Sequence, residues 1–360
     1  MASASACDGG GDSRIAPSTM MQACRGGSGA APTVSVIATV HNEGAAIDDL
    51  LASLARQTRR PDEVVIVDGG STDDTLARLR RAEAAGMLPL TVLSQPGCNI
   101  SAGRNAAIAA ARGPVIACAD AGVRLDPGWL AALVAPLEQP CPPEVVSGFF
   151  VPDARTPFEV ALAATTLPAL RDVRPESFLP SSRSVAFQKS AWQAVGGYPE
   201  WLDYCEDLVF DLRLRAAGCR FAFAPQAVVA FRPRPNLRAF FRQYYRYARG
   251  DGKADLWRRR HAVRYGTYLV AAPALLALCL LAGPWWVLGY PLGAVAMFAT
   301  PYRRLAGLWG GLRPSERLAA LAWVPIIRLT GDVAKMLGYP AGLAWRRAQK
   351  GRPEIAWRTN

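Results

Sequence analysis

From residue 33 onward, short unbroken apolar runs alternate with amphipathic stretches. Residues 33–40 are apolar and β-branched, the pattern of a strand buried on both faces. Ile47, Leu50, Leu51 and Leu54 then recur at helical spacing, with Asp48, Asp49 and Arg56 on the other face. Residues 63–68 form a second buried run, and a third strand is expected near 90–94. Between them, Ser71 and Asp74 have the spacing of a capping box opening a helix to about residue 85. A helix over 102–112 leads into a further strand at 115–120. Strand–helix alternation predicts a doubly wound α/β fold with a mostly parallel sheet. Ligands of such sheets bind beyond the carboxyl ends of the strands. His41-Asn42-Glu43, Asp68 and Asp120 stand at three of those ends.

The pattern loosens over 121–195, where only helices near 127–138 and 157–167 are expected. It tightens again at 204–218, where Leu208 and Leu212 keep helical spacing and Gly218 is placed to end the helix. Residues 265–302 carry no charge and lie between Arg264 and Arg303. A single helix of that length would measure ~57 Å, against a hydrocarbon core of ~30 Å. Gly283-Pro284 interrupts it in the middle, which predicts a helical hairpin with both ends on the same side of a membrane. The segment 318–345 is apolar but carries Arg328, Asp332 and Lys335, so it is expected to be an amphipathic helix at the interface rather than a third span.

Charge sharpens this division. Lys and Arg number 41 against 29 Asp and Glu, a net charge of +12. Residues 1–255 are balanced at 26 basic and 26 acidic, while 256–360 hold 15 and 3, so the entire excess is C-terminal. The basic clusters flank apolar runs, which favours the inner face of a membrane over nucleic acid as partner. This gives three regions: a tail over 1–31, a catalytic domain over 32–255 and a basic anchoring region over 256–360. The tail is rich in Ala, Gly and Ser with no apolar core, so it is expected to be disordered and is not a signal peptide. Eight cysteines without a Cys-x-x-Cys pair, and only two histidines, exclude a zinc cluster and a disulfide framework. A reducing compartment follows, and the cytoplasmic membrane face is the expected location.

Five segments occur in order: ValSerValIleAlaThrValHisAsnGlu, ValValIleValAspGlyGlySerThrAspAspThr, SerAlaGlyArgAsnAlaAla, IleAlaCysAlaAspAlaGly, and the late GluAsp at 206–207. Together they resemble the GT-A glycosyltransferases of family 2, inverting enzymes that use nucleotide-sugar donors. The resemblance is strong over 33–130 and around 184–220. It implies Glu43 and Asp68 as acceptors for the base and ribose, with His41 beside them or merely packed at the strand end. Asp68 could alternatively cap the following helix or form the turn before it. Arg104 would meet the diphosphate, and Asp120 the ribose or a metal. Asp207, with Glu206 next, would be the catalytic base. Gly122 departs from the family's Asp-x-Asp, so a divalent ion (Mg or Mn) would rest on Asp120 alone, or arginines would replace it.

Gln243-Tyr244-Tyr245-Arg246-Tyr247 resembles the Gln-x-x-Arg-Trp signature of processive synthases. The same segment reads as an aromatic-basic helix at the membrane surface, with contact to the donor as a second role. The expected activity is transfer of a sugar to a lipid-linked or membrane-presented acceptor. A processive polysaccharide synthase and a non-catalytic nucleotide-sugar-binding scaffold are the alternatives.

Overall fold

The computed structural model describes residues 32–358. The tail expected over 1–31, with Cys7 and Cys24, lies outside the described residues. The first half of the chain follows the sequence pattern closely: β1 (Val34–Val40), α1 (Ala46–Ala55), β2 (Glu63–Asp68), α2 (Thr75–Ala85), β3 (Leu90–Ser94), α3 (Ile100–Ala110) and β4 (Val115–Cys118). After these come β5 (Val123–Leu125), α4 (Trp129–Val134), β6 (Val145–Pro152), α5 (Pro157–Thr166), β7 (Val185–Gln188), α6 (Lys189–Ala194), α7 (Glu206–Ala216) and β8 (Phe221–Phe231). The eight strands form one sheet in the order β3-β2-β1-β4-β7-β6-β8-β5. β1 to β4 are mutually parallel, and β7 runs against both β4 and β6. This is the mixed sheet of a GT-A glycosyltransferase fold.

Two apolar layers cover the parallel half. Ile47, Leu50, Leu54 and Leu79 pack on one face, Ile108, Ala111, Phe187 and Phe210 on the other. Burial on both faces explains why β1, β2 and β4 read as unbroken apolar runs. In register, Val40 pairs with Asp68 and Ile37 with Cys118. The loops after β1, β2 and β4 therefore open at one edge.

The expected capping box does not form. The N-cap of α2 is Asp74, without a side-chain cap bond, and Ser71 Oγ donates instead to Asp68. Asp73 serves the helix start instead, its Oδ1 accepting from the N–H and the hydroxyl of Thr75.

Beyond the sheet, α8 (Leu237–Ala254) lies along α12 (Pro314–Ala348). Their approach needs glycine: a Cβ at Gly338 would sit 2.2 Å from the carbonyl oxygen of Tyr245, and one at Gly342 2.1 Å from that of Arg249. The other contact of this pair is apolar, with Phe240, Val324 and Ile327 meeting Phe158 and Leu162 of α5. α12 covers one face of the aromatic-basic helix α8, while Arg238, Arg242 and Arg246 stay exposed on the other. α12 itself is amphipathic in an unusual sense: its inner face is protein-packed, and its outer face exposes Leu318 and then Ile326, Leu329, Val333 and Leu337 at i+3 or i+4 steps.

Between α8 and α12, α9 (Arg258–Tyr265), a π-helical turn (Gly266–Ala271) and α10 (Ala272–Leu281) form one rod. Gly283, at φ +119°, breaks it before Pro284. α11 (Gly289–Ala306) returns beside it, with Tyr290 donating to the carbonyl of Ala272. Among the described residues, Arg258–Leu281 is the helix long and apolar enough to cross a membrane. Leu276, Leu280, Leu281, Leu292 and Val295 of this pair are exposed.

Candidate functional site

The loop after β1 is built by a turn at Asn42, which holds a left-handed φ of 56°. Asn42 N–H donates to Ser71 Oγ, Thr72 N–H to Asn42 Oδ1, and the N–H groups of Glu43 and Gly44 to Thr75 Oγ1. These bonds tie the loop to the start of α2 and turn Glu43 into a cavity of about 920 Å³. Burial, and then the neighbouring Asp120, raises the pKa of Glu43. Thr39 lines the same end.

His41 and Asp68 do not line the cavity. His41 is exposed beside Asn42. Asp68 is fully buried and accepts from the N–H groups of Gly70 and Ser71 and from Ser71 Oγ. Its carboxylate holds the turn after β2, the structural alternative weighed above.

Arg104 is the centre of the site. It is 3% exposed, and its two terminal nitrogens split between Glu206 Oε1 and Asp120 Oδ1, each at 2.8 Å. Its guanidinium also lies 5.3 Å from the ring centroid of Tyr198. An Ala-rich helix carries this arginine because α3 packs tightly on β1: a Cβ at Gly103 would lie 2.4 Å from Thr39 Cγ2. One residue on, Asn105 clamps the Gly-Gly-Tyr-Pro turn, donating to the carbonyl of Tyr198 and accepting from its N–H, both at 2.9 Å. Gly197, at φ +74°, leaves room for that clamp. The motif thus fixes the start of α7 next to Arg104.

α7 then begins abruptly. Cys205 takes a left-handed φ of 66°, so Glu206 and Asp207 open the first helical turn inside the cavity. Burial, followed by the charge of Asp207, raises Glu206 to about 7. Asp207 has no ion pair among the described residues. Its Oδ1 accepts from the Leu208 N–H at 2.8 Å, and a carboxylate placed in a cleft can serve as a proton acceptor.

Arg183 and Arg234, which the sequence pattern did not single out, complete the wall together with Gln243 and Tyr247 of the aromatic-basic segment. Arg183 approaches the other oxygen of Asp120 at 3.5 Å and stacks over Phe231. Arg234, Gln243 and Tyr247 also line the cavity, with Gln243 Nε2 donating to Tyr247 Oη at 2.7 Å. The paired prolines of Arg232-Pro233-Arg234-Pro235 signal a stiffened loop that could have pointed to Arg234. Arg183, in an irregular serine-rich stretch, has no such signal. From this part the cavity continues past Tyr244 to Trp257, Arg260, Arg264 and Lys335.

Among the described residues no three His, Cys, Asp or Glu side chains form a metal-binding group. Gly122 supplies no ligand, and a Cβ there would lie 4.0 Å from Glu43 Oε2. Two carboxylates, Glu43 and Asp120, remain at this end, and Asp120 adds to burial in raising the pKa of Glu43. Such a pair accepts a divalent cation when the donor's phosphate oxygens complete its oxygen shell.

Comparison with known proteins agrees with this geometry. Residues 35–175 match the family model for glycosyl transferase family 2, and 169–329 match that for glycosyl transferase family group 2. Validoxylamine A glucosyltransferase of Streptomyces hygroscopicus subsp. limoneus is 34% identical over 119 residues, 32% of this chain and 26% of that protein. Succinoglycan biosynthesis protein ExoA of Rhizobium meliloti is 32% identical over 155 residues, 36% of this chain and 47% of its own. The chain thus spans about a quarter to a half of the length of these relatives. O-antigen chain rhamnosyltransferase WbaN of Salmonella anatum is 22% identical over 226 residues, 59% of this chain and 70% of its own. Among solved structures, mannosyltransferase PcManGT from Pyrobaculum calidifontis, in complex with GDP-Man and Mn2+, has a TM-score of 0.50 at 20% identity. That match covers 92% of this chain and 93% of that one, and it shows the shared fold.

Proposed function

The chain belongs to the family 2 glycosyltransferases, and from that we propose that it moves a sugar, with inversion, from a nucleotide-sugar donor to an acceptor presented at a membrane surface. One observation carries this reading. A single cleft runs from Glu43, Arg104 and Asp120 past the unpaired Asp207 to the foot of the apolar rod Arg258–Leu281. Donor chemistry and the membrane-facing helices open into the same space.

In this reading the nucleotide diphosphate lies at the Asp120 end. Arg104 and Arg183, preorganised by Asp120 and Glu206, stabilise the negative charge that develops on the leaving diphosphate. A divalent ion, when bound by Asp120 and Glu43, would supply further charge neutralisation there. Asp207 accepts the proton of the acceptor hydroxyl. The hydroxyl oxygen forms its bond to the anomeric carbon as the bond to the diphosphate oxygen breaks, and that electron pair leaves with the diphosphate. The transition state has oxocarbenium character, as at other glycosidic centres. The exposed apolar faces of α10, α11 and α12, with the C-terminal excess of Arg and Lys, support an anchor on the cytoplasmic face of a membrane.

The test is a screen of nucleotide sugars for thermal stabilisation, followed by transfer from the best ligand to membrane-extracted acceptors. A ligand present at 100 times its Kd stabilises the fold by about 2.7 kcal/mol. One nucleotide sugar is expected to stand out and to yield a glycosylated lipid fraction. Stabilisation without any transfer would support the scaffold alternative instead.

A further inference from the structure

The far end of the cleft has charge that the donor does not explain. Arg260, Arg264 and Lys335 all line it. Lys335 sits largely enclosed, 5.0 Å from the ring centroid of Tyr244, and makes no ion pair or hydrogen bond to any described residue. The carboxylate one turn away, Asp332, is already taken: Arg264 bonds it at 2.7 Å, Tyr268 Oη at 3.0 Å, and Arg328 approaches at 3.3 Å. Asp251, the acidic residue lining this end, pairs with His261 at 3.1 Å. His261 in turn takes a contact from Arg264 at 3.2 Å and stacks on Tyr339. The carboxylates are used up and cations are left over. Burial, with Arg264 next, pulls Lys335 down to about 8, more than the nearby Asp332 and Asp251 hold it up.

The position of this surplus says what kind of anion would fill it. The donor's diphosphate has its own arginines at the other end, around Asp120. Arg260 and Arg264 stand at the base of the apolar rod, with Val263, Leu269 and Val270 exposed beside them. Lys335 points inward from α12, while Val333 and Leu337 in the same two turns face outward and are exposed. An anionic head held at Lys335 thus lies one helix away from an apolar surface on which a hydrocarbon tail can rest.

We propose that the membrane end of the cleft is a subsite for the phosphate or diphosphate of a lipid-linked acceptor, held by Lys335, Arg260 and Arg264. The proposal rests on the glycosyltransferase reading and makes it more specific: the acceptor sugar is carried on a lipid phosphate, not on a neutral glycolipid. Its hydroxyl extends along the cleft toward Asp207 while its phosphate stays at the rod. Tyr244 and Tyr247, between the two, line the passage for the sugar.

Binding of farnesyl diphosphate to the detergent-solubilised full chain tests this, with a saturating nucleoside diphosphate occupying the donor end. Farnesol, inorganic pyrophosphate and phosphatidylglycerol vesicles serve as comparison probes, and Lys335→Met and Arg260→Gln as variants. Farnesyl diphosphate is expected to bind about tenfold or more tightly than farnesol or pyrophosphate, as one or two charge-assisted hydrogen bonds allow. Lys335→Met should lose about tenfold of that affinity, and Arg260→Gln a smaller factor, with nucleotide-sugar affinity unchanged in both. Equal binding of farnesol, equal competition by pyrophosphate or by phosphatidylglycerol, or an unaffected Lys335→Met would overturn the subsite. Retained nucleotide-sugar binding in those cases leaves the glycosyltransferase reading standing, whereas a wild-type chain that binds no nucleotide sugar overturns both.

Discussion

At the scale of single residues, the site is organised around one buried cation. Arg104 links Asp120 to Glu206, so the two carboxylates share a fixed charge. Glu206 is driven the other way, up from 4.5 to about 7, by burial and by Asp207. The folded state therefore holds a proton, between about 4.5 and 7, that the unfolded chain releases. Stability from this group is complete below the lower value and declines as pH rises through the upper one. Glu206→Gln should flatten the fall in melting temperature between about pH 5 and about pH 8. A variant with the wild-type slope would mean that Glu206 ionises in its ordinary range. That Arg104, Asp120, Glu206 and Asp207 belong together in one cleft was legible from motif order. The work of Asp68 was not, because an aspartate at a strand end reads the same whether it meets a ligand or closes its own turn.

At the scale of elements, the contrast lies between the two halves of the chain. β1, β2 and β4 were legible because a strand buried on both faces is written as a continuous apolar run, whereas β3 is an edge strand with Thr91 and Ser94 exposed. β5, β6, β7 and β8 were not. β5 and β7 are three and four residues long, too short to show a period, and β8 carries Pro225 and Gln226 in its middle. The break at Gly283-Pro284 was legible since it depends on local backbone chemistry alone. The burial of α8 was not, because it depends on glycines of α12 about ninety positions away in sequence. That packing makes a specific demand. Gly338→Val puts a branched side chain where the Tyr245 carbonyl lies 2.2 Å from a Cβ, with backbone on the far side. It should cost about 1–3 kcal/mol, the usual size of overpacking, measured by chemical denaturation. Gly293→Ala, with nothing within 4 Å, is the control and should cost nothing of the kind. Equal stability of the two variants would mean that α8 and α12 are not held this closely.

At the scale of the whole molecule, charge, apolar surface and chemistry are arranged along one line. The balanced region carries the sheet and the donor end of the cleft. The region with the +12 excess carries the rod, the exposed stripe of α12 and the cationic end of the same cleft. In the proposed reading Asp207 stands between them, where a sugar bound to a nucleotide and a hydroxyl arriving from a membrane meet. Turnover of Asp207→Asn in lipid nanodiscs, with the nucleotide sugar that stabilises the wild-type chain, tests that placement most directly. The substitution keeps size and hydrogen bonding and removes the proton acceptor. Turnover should fall by about 10²–10⁴-fold, the usual contribution of a general base, while the affinity for the nucleotide sugar stays within about twofold of wild type. Near-wild-type turnover of Asp207→Asn would contradict the account and place the base elsewhere.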